Sequence, residues 1–266
     1  MNGYEEIDLM DLLFYCLKKW RWFIIMMFFF AMVTGIYKYQ AIGNENIEKQ
    51  KLLLEEKIKE ETDIEESETI PVLLEDPVSE AIKFAAMGCA MGAFFMFFLF
   101  TVKYVMCGKL QNVKNFEHDF GMHLLGMVLV PEKKRWFDFI DIRILRLEKG
   151  TYAKLSYEEQ IRITVSNIQN AVSKEKEIKR IMLAGTIEKE EAEAVALPLT
   201  AELKEATFTL SDYKQMLFQS SALNDLKKYD GIIFIEKEGK SYFNYIISEK
   251  SLAIDREVKI FGTIIF

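Results

Sequence analysis

The residues whose types and spacing could do chemistry gather in RIMLAGTIEKEEAEAV, residues 180–195. An apolar run, a small-residue turn holding Gly185 and Thr186, and Lys189 opening a helix rich in alanine and glutamate make the layout of a phosphate-binding loop. That chemistry needs several glycines so that successive backbone N–H groups turn onto the phosphates. It also needs a lysine on the β/γ-phosphates and a Ser or Thr hydroxyl on Mg²⁺. Here one glycine stands in the turn, and Glu190 follows Lys189 where the metal-holding hydroxyl belongs. Glu188, Glu190 and Glu191 would face a triphosphate with like charge. At an effective dielectric of ~20, one such pair at about 4 Å costs on the order of 4 kcal/mol. The same glutamates suit an empty helix N-terminus, whose dipole acidic side chains complement. The expectation is a degenerate nucleotide loop at Gly185, Thr186 and Lys189, with no catalytic residue, no cofactor and no enzymatic activity.

Other reactive residues are scattered. Asp212 stands alone in ATFTLSDYKQ, without the second aspartate a metal site of this kind uses. His118 and His123 have no cysteine or carboxylate partners at a ligand spacing, and no Ser/His/Asp arrangement stands out. Cys16, Cys89 and Cys107 show neither a pairing pattern nor metal-ligand spacing and read as small apolar fillers. No metal site is expected.

The elements that would carry these residues include two apolar runs. Trp22 to Tyr37 has no charge across sixteen residues, and Phe84 to Val102 has none across nineteen, nine of them Phe or Met. At ~1.5 Å rise per residue the second crosses a hydrocarbon core of about 30 Å, and Trp20 and Tyr39 anchor the first. Two transmembrane helices follow, over residues 20–38 and 83–106, the first read as an uncleaved anchor because acidic residues precede it and bulky ones end it. Gly88 and Gly92 in the second have the GxxxG spacing that lets another helix approach closely, within the chain or between chains.

Lys18, Lys19 and Arg21 flank the start of the first helix, and Lys103, Lys109 and Lys114 follow the second. This predicts a multi-pass protein of the cell membrane with both termini cytoplasmic. The loop 39–82 carries thirteen Asp and Glu against four Lys, a net −9, so the remainder of a chain totalling −7 carries +2. With a thin apolar stripe at Ile47, Leu54 and Ile58 it cannot bury a core; it is a hairpin, a self-associating helix or a disordered connector, closed by Pro71 and Pro77. Residues 1–19 form a short amphipathic helix at the inner surface, with Ile7, Met10, Leu13, Phe14 and Leu17 at helical spacing.

From residue 107 the composition becomes that of an α/β domain. A juxtamembrane segment, 107–150, holds the strand candidate HLLGMVLV and the basic-aromatic stretch EKKRWFDFIDIRILR, whose aspartates interrupt the positive charge. That stretch is read as a juxtamembrane helix attracted to anionic lipid, not as a nucleic-acid site. Residues 151–266 alternate strands RIMLA, ATFTL, GIIFI and IFGTIIF with helices near 187–204, 212–227 and 241–255, the first of which Pro198 could shorten. A helix with Ile161, Val165, Ile168 and Val172 on one face precedes them. Strands separated by helices predict a parallel sheet.

The order of parts resembles the chain-length determinant (Wzz-type) polysaccharide co-polymerases. EEIDLMDLLFYCLKKWRWFI is similar to the Ile-Asp-Leu-x-x-Leu opening of that family, and the second helix, with prolines before it and glycines within it, resembles its counterpart. KLQNVKNFEHDFGMHLLGMV resembles the acidic helix, glycine and Leu-Gly-x-Val strand that follow. The C-terminal part resembles the cytoplasmic domain of bacterial tyrosine kinases: Glu159, Arg162 and Asn167 match Glu-x-x-Arg-x-x-x-x-Asn, KKYDGIIFIEKEGKSYFNYI a late strand and turn, and KIFGTIIF the last strand. The resemblance implies a P-loop-type sheet that has lost its chemistry, the Walker B region being shortened. It further implies a non-catalytic scaffold or regulator in capsular or exopolysaccharide assembly. Its implied partners are further copies of itself, polymerase or flippase machinery, a separate tyrosine kinase and the lipid membrane, with no nucleic acid. An adaptor for an active kinase, and an unrelated two-span scaffold or sensor, are the alternatives.

Overall fold

The described residues include two helices long and apolar enough to cross a membrane, and an α/β domain with a parallel sheet. The structure, a computed structural model, describes residues 9–60, 76–131, 137–175 and 178–266. These divide into two units, Tyr15–Tyr104 and the set comprising Met1–Phe14 and Val105–Phe266.

The short α1 (Leu9–Leu17), whose residues up to Phe14 belong to the second unit, leads into α2 (Trp20–Glu60) of the first, and α3 (Pro77–Met106) returns. Proline suits the first turn of α3, where its missing N–H has no intrahelical acceptor, and the Asp76 side chain accepts from the Val78 N–H at 3.0 Å. Backbones meet where the glycines lie. A Cβ on Gly88 would stand 2.7 Å from the Phe30 carbonyl oxygen, and one on Gly92 would stand 2.8 Å from that of Met26. Thr34 Oγ1 donates across the pair to the Phe84 carbonyl at 3.0 Å. Gly88 and Gly92 therefore face α2 of their own chain. On the outer faces Phe28, Met32 and Phe94 are 72%, 67% and 72% exposed, which is costly in water and normal in hydrocarbon.

In the second unit, α4 (Phe116–Phe120) precedes β1 (Leu124–Met127), α5 (Asp138–Lys149) and α6 (Tyr157–Ser173). Then come β2 (Arg180–Gly185), α7 (Lys189–Glu202), β3 (Thr209–Leu210), β4 (Lys214–Gln215) and α8 (Ser220–Asp225). The chain continues through β5 (Gly231–Glu236), α9 (Phe243–Asp255) and β6 (Lys259–Ile265). The sheet order is β1-β6-β5-β2-β3, β4 also pairs with β2, and each pairing is parallel.

Alternate side chains build two cores. Ile181, Leu183, Ile233 and Ile235 pack with Ile161, Val165, Ile168 and Val172 of α6 and with Val195 and Leu199 of α7. Met182, Ala184, Ile232 and Phe234 pack with Phe116, Met216, Ile246 and Ala253 on the opposite face. A capping box of Ser156 and Glu159 starts α6, and Asn167 donates to the Leu125 carbonyl at 2.8 Å, tying α6 to β1.

Several expectations change. Part of the loop 39–82 continues α2 to Glu60, and Pro77 begins α3 ahead of residue 83; residues 61–75, Pro71 among them, lie outside the described residues. The segment 107–150 supplies β1 to the sheet, because its Leu-Gly run pairs with β6, so the α/β unit begins well before residue 151. The helix expected at 212–227 is replaced by β4, which pairs with Ala184 and Gly185 on the free edge of β2, and helix survives only in α8 and a short 3₁₀ turn. Pro198 sits inside α7 without ending it. Its ring leaves the Ala194 carbonyl without an intrahelical donor, and the Tyr157 hydroxyl donates there instead. Ile7 and Lys133 to Trp136 lie outside the described residues.

Candidate functional site

The turn after β2 is where a P-loop-type sheet would receive a phosphate, and its donors point at a carboxylate from the protein itself. Glu236 closes β5 at 0% exposure. Its Oε2 accepts from the Thr186 hydroxyl at 2.6 Å and its Oε1 from the Thr186 backbone N–H at 3.2 Å. These are the two kinds of donor, amide and hydroxyl, that a phosphate loop offers an anion.

Glu249 of α9 lies with it, 1% exposed, its carboxyl against that of Glu236 and in reach of the Leu217 backbone. Burial holds the Glu236 carboxyl above the ordinary carboxylate range, opposed by hydrogen bonds from Ser241 and Thr186. Burial also holds Glu249 well above it, and the neighbouring charge of Glu236 adds to the effect. Two buried carboxyls side by side oppose each other's ionisation, so the pair holds a proton to higher pH than free carboxyls do. Tyr213 closes the side of the cluster, 4% exposed, donating to the Ile187 carbonyl at 3.0 Å. Its hydroxyl is pushed up chiefly by burial and further by the Glu236 and Glu249 charges.

The lysines near the turn are also engaged. Glu191, in the first turn of α7, pairs with Lys240 and lies 3.5 Å from Lys237 Nζ. The Lys240 bond is the main cause that lowers its carboxyl below the usual range. Lys189 Nζ is 3.6 Å from Glu193 one turn along, with both side chains well exposed. Gly185 is glycine for a reason unconnected with phosphate. A Cβ there would overlap the Ile235 carbonyl oxygen of β5 and stand 2.9 Å from the Tyr213 hydroxyl.

The structure thus brings Gly185 and Thr186 into the carboxyl cluster and leaves Lys189 outside it. Asp212 is exposed, His118 Nδ1 lies 3.2 Å from Asp119 and His123 Nδ1 3.6 Å from Glu117. No group of three or more metal-ligating side chains occurs among the described residues. Glu159 caps α6 and Asn167 ties it to β1, while Arg162 is exposed.

Sequence reasoning missed Glu236, Glu249 and Tyr213, although two left a signal. Glu236 keeps the alternation of Ile232 and Phe234, which aims it inward, and Glu249 falls between Ile246 and Ala253 on the apolar face of α9.

No protein-family model and no curated protein matches the chain. A solved structure described as "BceF Tyrosine Kinase Domain" superposes on 59% of this chain and 98% of its own, at 13% identity and a TM-score of 0.36. A likeness at that score carries no argument about activity.

Proposed function

We propose that this protein is a membrane-anchored, non-catalytic component of cell-surface polysaccharide assembly, with a kinase-like α/β domain that acts as scaffold or regulator. The polysaccharide reading rests on the Wzz-type opening, residues 5–24, and on the kinase-like segments of the domain. The non-catalytic reading is carried by one observation: the Glu236 carboxylate takes both the Thr186 amide and hydroxyl, so the anion position of the turn is filled from within. A nucleotide phosphate would have to displace a buried carboxyl and then meet Glu188, Glu190 and Glu191.

In this reading α2 and α3 span the cell membrane, both termini are cytoplasmic and the domain presents a surface to polymerase, flippase or kinase partners, or to further copies. The face of Gly88 and Gly92 is taken by α2, so assembly between copies would use other surfaces. The purified full chain in detergent, titrated with MgATP to millimolar concentration by calorimetry, should give no binding heat. Saturable binding that Lys189→Ala abolishes would overturn the non-catalytic reading. Deleting the gene should alter the amount or length distribution of a surface polysaccharide on gels, and an unchanged polymer profile would remove the polysaccharide assignment.

A further inference from the structure

Helix α5 carries the feature that the proposed function leaves unused. Its inner face holds Ile140, Ile144 and Glu148, with Ile144 8% exposed, and Lys149 joins Glu238 at 2.7 Å. The opposite face shows Phe139, Ile142, Arg143, Arg146 and Leu147, at i, i+3, i+4, i+7 and i+8, and all five are exposed. Phe139 and Leu147 are 66% and 67% exposed, far beyond what isolated surface apolar residues need. Neither Arg143 nor Arg146 has an ion pair among the described residues, so the stripe presents two uncompensated cations among three apolar side chains. The chain immediately before α5 adds Lys133, Lys134, Arg135 and Trp136.

Apolar side chains flanked by arginines on one exposed helical face match the boundary of an anionic bilayer, where rings and aliphatic chains enter the acyl margin and guanidinium groups meet phosphates. A protein partner would also cover apolar surface, but the unpaired basic charge is complementary to a negative surface, and a chain that spans the membrane is tethered to such a surface.

We infer that the outer face of α5 docks on the anionic leaflet of the membrane through Phe139, Ile142 and Leu147, with Arg143 and Arg146 on the lipid phosphates. This inference rests on the reading that α2 and α3 span the membrane. Docking sets which other faces of the domain are left for partners.

The test uses the full chain in nanodiscs of phosphatidylcholine alone and in nanodiscs doped with phosphatidylglycerol, with hydrogen exchange followed across residues 138–149. Amides of α5 should exchange on the order of tenfold more slowly in the anionic discs. Arg143→Glu with Arg146→Glu should remove the difference, since each basic side chain near such a surface contributes roughly a fivefold factor. Both positions are exposed, and unchanged exchange in β2 and β5 checks that the variant folds. Equal protection in both discs, or protection indifferent to charge reversal, would overturn the docking. Release of the whole chain from native membranes by alkaline carbonate would instead remove the spanning reading, so the two failures are separable.

Discussion

Glu236 is answered by Thr186 and Ser241, whereas Glu249 lies against the Glu236 carboxyl, whose charge opposes its own, with the Leu217 backbone favouring its charge, so ionising Glu249 is the costlier event. Both folded pKa values lie above the unfolded value of 4.5, and the folded state therefore keeps protons that the unfolded chain releases. Stability from the pair is fully present below about pH 4.5 and is lost as pH rises through the raised folded values, at about 1.4 kcal/mol for each tenfold difference in proton affinity between the two states. Asp225 has the opposite sign: Lys214 first and Lys228 second hold it down to about 2, so its contribution is present above 3.8 and fades only as pH falls toward 2. Between pH 5 and 8 the pair sets the slope. The melting temperature should fall across that range, and Glu249→Gln should flatten the slope and raise the value at pH 8. A wild-type melting temperature that climbs from pH 5 to 8 would sink the argument. Gly185→Ala should cost about 2 kcal/mol or more through overlap with the Ile235 carbonyl, measured by urea unfolding, while Lys189→Ala should be neutral. The glycine, threonine and lysine of the turn were legible as a weakened loop. What fills it was not, because Glu236 and Tyr213 reach it from segments far along the chain.

At the scale of elements, α7 runs through Pro198 because another helix supplies the missing donor, which gives a prediction of coupling. Tyr157→Phe should destabilise by about 1 kcal/mol, and by clearly less in a Pro198→Ala background, where the backbone N–H restored at that position can reach the Ala194 carbonyl. Equal costs in the two backgrounds would mean that the hydroxyl does not stand in for the helix bond. The helix pair offers a second test. A Cβ on Gly35 would lie 3.3 Å from the Ala85 Cβ, close to the ~3.8 Å of a disulfide. Gly35→Cys with Ala85→Cys, in a chain lacking its native cysteines, should crosslink under mild oxidation, and adding Gly88→Leu should reduce the yield severalfold. An undiminished yield would show that α2 and α3 do not meet at the glycines. Strong periodicity made α6, β2 and β5 readable from local pattern alone. The two-residue strand β4 has no such pattern; it exists because Ala184 and Gly185 leave an edge to be paired.

At the scale of the whole molecule, charge placement argues a topology that the α/β fold itself does not fix. Residues 39–82, between the two apolar runs, carry thirteen acidic residues against four lysines, while Lys18, Lys19, Arg21, Lys103, Lys109 and Lys114 flank the outer ends of those runs. Basic residues close to spans are retained on the cytoplasmic side, and acidic residues have little influence, so the six cations set the proposed orientation. With Cys16, Cys89 and Cys107 replaced, Asn44→Cys should label with a membrane-impermeant thiol reagent in intact cells. Ser251→Cys, exposed on α9, should label only after the membrane is opened. The same pattern would put the Arg143 and Arg146 face of α5 on the cytoplasmic side, where the leaflet is anionic. Labelling of Ser251→Cys from outside would invert the topology and remove that leaflet as the surface on which α5 rests.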